Sequence, residues 1–121
     1  MSKKMATIKE ILGELLKIDG VRAAIVVGRD GFTIESVTVA GMDIDAVGAV
    51  LSSNMGPAEV MGNNLQLGEL TQNMVEYKSG NIVLSILGTD AILGVVADTR
   101  ANLGVLRYTI KKISKELEQT I

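Results

Sequence analysis

Residues 7–20, TIKEILGELLKIDG, place Ile8, Ile11, Leu12, Leu15 and Leu16 at helical spacing, which predicts a helix with one apolar face. Thr7 followed three residues later by Glu10 forms a capping box at its start, and Gly20 suits a left-handed exit. VRAAIVV (21–27) is apolar on both faces of a strand, whereas FTIESVT (32–38) alternates. Between them GRDG carries Asp-Gly, a strong hairpin signal. A glycine-bounded loop behind an apolar strand can also cradle a phosphate. That chemistry requires a helix N-terminus after the loop, and here a second strand follows with no Gly-Lys-Ser/Thr sequence.

The segment 44–66 has Ile44, Val47, Val50, Leu51, Met55, Ala58, Met61 and Leu65 at helical spacing and predicts a central helix capped by Asp43 or Asp45. Pro57 falls inside that pattern and predicts a kink. LTQNMVEY (70–77) alternates, IVLSIL (82–87) is nearly continuous, and AILGVVA (91–97) is apolar on both faces. The connections KSGN and GTD are turn sequences. NLGVLRYTIKKISKELEQ (102–119) closes the pattern as a helix, with Leu103, Leu106, Ile110, Ile113 and Leu117 in steps of three and four and Thr99 or Asn102 as cap. The methionines mostly follow core spacing and read as packing.

The predicted fold class is α/β (α+β): a single domain over 1–121, with element order α-β-β-α-β-β-β-α. Strands apolar on both faces belong inside the sheet and the alternating ones at its edges. With the hairpins, that gives a mainly antiparallel five-stranded sheet of order 2-1-5-4-3. The first and closing helices cover one face and the central helix the other, making a three-layer sandwich.

Two features of this arrangement point to self-association. The edge strand 70–77 has no proline and only Glu76 as a charge, so it is open to pairing. Gly48, Ser52 and Gly56 recur at i, i+4 and i+8 as a strip of small residues. That strip suits either close packing on the chain's own sheet or the approach of a second helix. Taken together, edge and strip suggest a two-fold homodimer whose contacts are Gly48, Ser52, Gly56, Leu70, Gln72, Met74 and Glu76.

Composition narrows the chemistry. The chain has no cysteine and no histidine, which excludes thiolate and imidazole metal sites, disulfides and histidine-based catalysis. A net charge of −2 and only 2% aromatic residues offer nucleic acid neither a basic face nor a stacking platform. No apolar run reaches a membrane span, and MSKKM leads into no signal-peptide core, so a cytoplasmic location is expected. Asp19, Asp90 and Asp98 occupy turns or helix entries, and Asp43 and Asp45, two residues apart, do not face each other on a helix. Asn and Gly in GNNLQLGE (62–69) read as helix terminators. Arg107, Lys111 and Lys115 share one helical face, which reads as solvated surface more than as a docking site. No catalytic constellation, cofactor site or metal site emerges.

Three segments, GVRAAIVVGRDGFTIES, MVEYKSGNIVLSILG and AILGVVADTRANLGVLRYTIKKI, resemble the roadblock / dynein light chain family. The resemblance spans the first to the last predicted helix and is closest in character to prokaryotic Mgl-type regulators of small Ras-like GTPases. It implies the element order above and dimers formed through the central helix and third strand. It implies a non-enzymatic adaptor that binds such a GTPase and modulates its nucleotide cycle, including GTPase activation without catalytic residues of its own. The docking positions it implies are Ser53, Asn54, Glu59 and Asn63. The alternative is a small-ligand sensor or a scaffold subunit of a signalling or motor-type assembly. Pro57 departs from the smooth, alanine-rich central helix of the family.

Overall fold

The computed structural model describes residues 6–39 and 41–121; MSKKM and the side chains of Ile44 and Asp45 lie outside the described residues. The elements are α1 (Ile8–Leu16), β1 (Val21–Gly28), β2 (Thr33–Thr38), α2 (Ile44–Ser53), α3 (Met55–Asn64), β3 (Gln72–Tyr77), β4 (Gly80–Leu87), β5 (Ala91–Asp98) and α4 (Leu103–Thr120). The five strands are antiparallel in the order β2-β1-β5-β4-β3, as the alternation pattern predicts.

The helix starts follow their local chemistry. Thr7 Oγ1 accepts the Glu10 N–H at 3.2 Å while Glu10 Oε1 accepts the Thr7 N–H at 3.3 Å. Asp43 Oδ1 accepts the Ala46 N–H at 3.3 Å, and Asn102 Oδ1 accepts the Val105 N–H at 3.0 Å. Each interaction satisfies a donor that the first helical turn leaves unpaired. GRDG is a turn: the Gly28 N–H meets Phe32 O at 2.9 Å, Asp30 Oδ1 accepts the Phe32 N–H at 3.0 Å, and Gly31 takes φ +91°.

The central helical segment is broken into two pieces. Pro57 has no N–H, and its ring crowds the carbonyl four residues earlier, that of Ser53. α2 therefore ends at Ser53 and α3 restarts at Met55, so Pro57 lies in a first turn, where an N–H would be unpaired anyway. The expected kink falls at Asn54, three residues before the proline, where the backbone stays in the right-handed helical region.

Both sheet faces are covered, but unequally. Leu106, Ile110, Ile113 and Leu117 of α4 and Ile11, Leu12 and Leu15 of α1 bury against Val26, Val83, Leu93 and Val95. On the other face Leu51 and Met55 are the large apolar side chains of the helices that are fully buried among the described residues, over Ile25, Val27, Leu84 and Ile92. α2 lies over β1 and β2, so the β4–β3 half of that face is left thinly covered.

Candidate docking surface

β3 pairs with β4 along one side and with no other strand among the described residues. Its register sets Asn73, Val75 and Tyr77 opposite Leu84, Ile82 and Gly80, on the α2 face. Gln72, Met74 and Glu76 stand opposite Ser85, Val83 and Asn81, on the α4 face. Each strand presents alternate side chains to opposite faces, so one edge feeds two different surfaces.

On the α2 face a groove of about 340 Å³ opens between α2 and the edge of the sheet, lined by Val47, Val50 and Leu51 on one side and Val75, Tyr77 and Ile82 on the other. Val50 is 61% exposed beside it. Further apolar side chains are exposed on α3, where Met61 is 61% exposed, and past its end, where Leu67 is 74% exposed. A second concavity of about 400 Å³ separates α3 from the lead into β3. Exposed apolar side chains gathered at concavities mark an interaction site more often than singly scattered ones do.

The chain leaves α3 by a Schellman motif. The Leu67 N–H reaches Gly62 O at 2.9 Å and the Gln66 N–H reaches Asn63 O at 3.2 Å, with Gln66 in the left-handed region at φ +58°. The terminator is therefore Gln66. Asn63 and Asn64, read in sequence as terminators, belong to the helix.

Several sequence-derived positions change character. Gly48 is buried, and a Cβ there would lie 2.9 Å from Thr33 Oγ1 and 3.1 Å from Val27 Cγ1. It packs on its own sheet, so it does not form an outward strip. Ser52 is half-buried, next to Gly31 of the hairpin, with its Oγ donating to Ala49 O at 3.0 Å. Gly56 is exposed, and the break at Asn54 puts it on a different helix. Leu70 packs into the α2-side core and Gln72 Oε1 accepts from Arg107 Nε at 3.1 Å, whereas Met74 and Glu76 are exposed. Val50, Met61 and Leu65, whose spacing reads as core, are exposed too, because α2 and α3 leave the sheet edge uncovered, and Met74 is exposed on the opposite face.

Ser53 Oγ and Asn54 Nδ2 both donate to Val50 O, at 2.8 and 3.1 Å, and are spent on the end of α2. Asn63 is exposed. Glu59 is held by the hairpin: Arg29 Nη1 donates to Oε1 at 2.6 Å and Nη2 to Oε2 at 3.3 Å. These hydrogen bonds hold the Glu59 carboxyl below the usual carboxylate range and raise the Arg29 guanidinium. The pair ties the GRDG turn to α3, a link between segments thirty residues apart that no local pattern announces.

At the far end of β5, Asp98 accepts from the Arg100 guanidinium and from the Arg100 N–H, which pushes its carboxyl down to about 2. This cluster stabilises the turn into α4. Among the described residues no three His, Cys, Asp or Glu side chains gather as a metal site, and no helix is long and apolar enough to cross a membrane.

Comparison with known proteins places this geometry. An uncharacterised protein of Methanocaldococcus jannaschii is 35% identical over 111 residues, covering 92% of this chain and 93% of its own. Among solved structures, the gliding protein MglB of Thermus thermophilus superposes with a TM-score of 0.84 at 21% identity, over 92% of this chain and 85% of that one. MglB of Myxococcus xanthus superposes with a TM-score of 0.86 at 22% identity, over 98% and 90%. At that identity the likeness is one of fold. Residues 7–97 match the Roadblock/LC7 domain, and the chain belongs to the Roadblock/LC7 family.

Proposed function

We propose that this protein is a non-catalytic homodimeric adaptor that binds a small Ras-like GTPase and modulates its nucleotide cycle. The observation that carries the reading is the apolar surface of α2, α3 and Leu67 lying beside the unpaired edge of β3. Two-fold pairing of β3 with β3 of a second copy satisfies that edge and draws both α2–α3 segments to the same side of a continuous sheet. The family resemblance and the MglB-like fold support a GTPase as the partner docked there. Regulation then works by holding the partner's switch loops, since no activated nucleophile or acid–base pair is present among the described residues.

Two measurements test this. Light scattering should give a dimer mass that Val50→Arg and Met61→Arg shift toward monomer; both sites are exposed, so the fold tolerates the charge. An unchanged mass in both variants refutes the interface. Small GTPases from the same genome, loaded with a GTP analogue or with GDP, should bind in a nucleotide-dependent way. Absence of binding in either state across those candidates refutes the adaptor reading.

A further inference from the structure

The face opposite the docking surface holds a cleft that the adaptor reading does not use. It measures about 430 Å³ and lies between α4 and the β3–β4 edge, within the range of small-molecule sites. Arg107, Lys111 and Lys115, which read in sequence as a solvated ridge, form its wall. Among the described residues none of the three has a carboxylate oxygen within 4.0 Å. Arg107 spends its Nε on Gln72, which leaves the outer nitrogens of the fork available.

The floor is polar and buried. Ser85 and Ser114, 5% and 6% exposed, face each other with their Oγ atoms 2.8 Å apart. Each hydroxyl has one proton, and only one of the two is used between them. The other O–H has no acceptor among the described residues and sits at the base of the cationic wall. Two carboxylates, Glu69 and Glu118, also line the cleft, and Glu118 accepts the Gly88 N–H at 3.2 Å. Three cations against two carboxylates leave the cleft positive in a chain of net charge −2.

We infer that this cleft binds a small organic phosphate, with the phosphate between Arg107, Lys111 and the spare serine hydroxyl. A phosphate group matches the donors: it accepts the arginine fork, an ammonium and a hydroxyl at once. The volume leaves room for more than the bare ion. This inference stands apart from the GTPase reading, because it uses the other face of the sheet.

The test titrates the isotope-labelled protein with inorganic phosphate and separately with a nucleoside monophosphate, chloride holding the ionic strength constant. Amide shifts should saturate, fall in residues 69–72, 85–88 and 107–118, and show tighter binding of the monophosphate. Lys111→Gln/Lys115→Gln should weaken both ligands about tenfold or more, because charge-assisted hydrogen bonds are lost. Solution mass is followed on the same samples, so a lost response at unchanged mass reports on the cleft alone. Shifts that never saturate, that scatter over the surface, or that persist in the double variant overturn the inference. A response to an acidic peptide but to neither phosphate compound also overturns it, and assigns the cleft to a protein partner.

Discussion

Gly48→Ala separates inward packing from an outward small-residue strip by the sign of one measurement. In an open helix interior, replacing glycine by alanine gains about 1 kcal/mol through backbone entropy. Gly13 of α1 is such a site, since a Cβ there meets nothing within 4 Å. At Gly48 the new methyl would stand 2.9 Å from Thr33 Oγ1 and 3.1 Å from Val27 Cγ1, below ordinary contact. Both neighbours belong to strands of the sheet, so neither can swing away as a free chain end. Overpacking of this kind costs about 1–3 kcal/mol, which leaves Gly48→Ala between neutral and about 2 kcal/mol destabilised.

Each kcal/mol corresponds to about 4 °C in Tm for a chain of this size. Gly13→Ala should therefore raise Tm by about 4 °C, whereas Gly48→Ala leaves it unchanged or lowers it by up to about 8 °C. Scanning calorimetry at one fixed protein concentration makes the comparison, because association would otherwise add its own dependence. Thr33→Ala offers a second check. Thr33 Oγ1 is buried without a hydrogen-bond partner among the described residues, so its removal opens space next to the new methyl. The double variant should recover about 0.5 kcal/mol or more relative to additivity. If Gly48→Ala and Gly13→Ala raise Tm equally, Gly48 faces outward and does not pack on Thr33 and Val27.

Two further outcomes follow from the charge and hydroxyl geometry. Asp98 has its carboxyl lowered from 3.8 to about 2 by Arg100, so its contribution to stability is fully present above about pH 4 and is lost as pH falls toward 2. The gap in urea midpoint between the wild type and Asp98→Asn should close across that window, and a gap constant from pH 5 to 2 contradicts the assignment. Ser85→Ala should cost about 1 kcal/mol by urea unfolding, since it strands the buried Ser114 hydroxyl. Ser85→Ala/Ser114→Ala should cost less than the sum of the single changes, and strict additivity would show that the two hydroxyls do not interact.

Local chemistry made much of this fold legible in the sequence. The Thr7–Glu10 box, the Asp-Gly turn and the i, i+3, i+4 stripe of α4 each involve residues within a few positions of one another, so pattern and contact coincide. Strand order followed because strands apolar on both faces must lie inside. The candidate docking surface was less legible. Val50, Met61 and Leu65 carry the spacing of core residues, yet burial depends on what lies opposite, and opposite them the sheet edge stands uncovered. Apolar residues on too many sides of one helical segment were the available signal.

From sequence alone came the elements, the strand order, the family resemblance and the absence of histidine and thiol chemistry, because each depends on residue type and short-range spacing. Tertiary structure decided which face each residue serves. It put Gly48 against Thr33 and Val27, bound Glu59 to Arg29, and turned the Arg107–Lys111–Lys115 ridge into the wall of a cleft floored by two serines. The physical reason is common to all three: burial and pairing arise between segments distant in the chain, and only the packed sheet sets those distances.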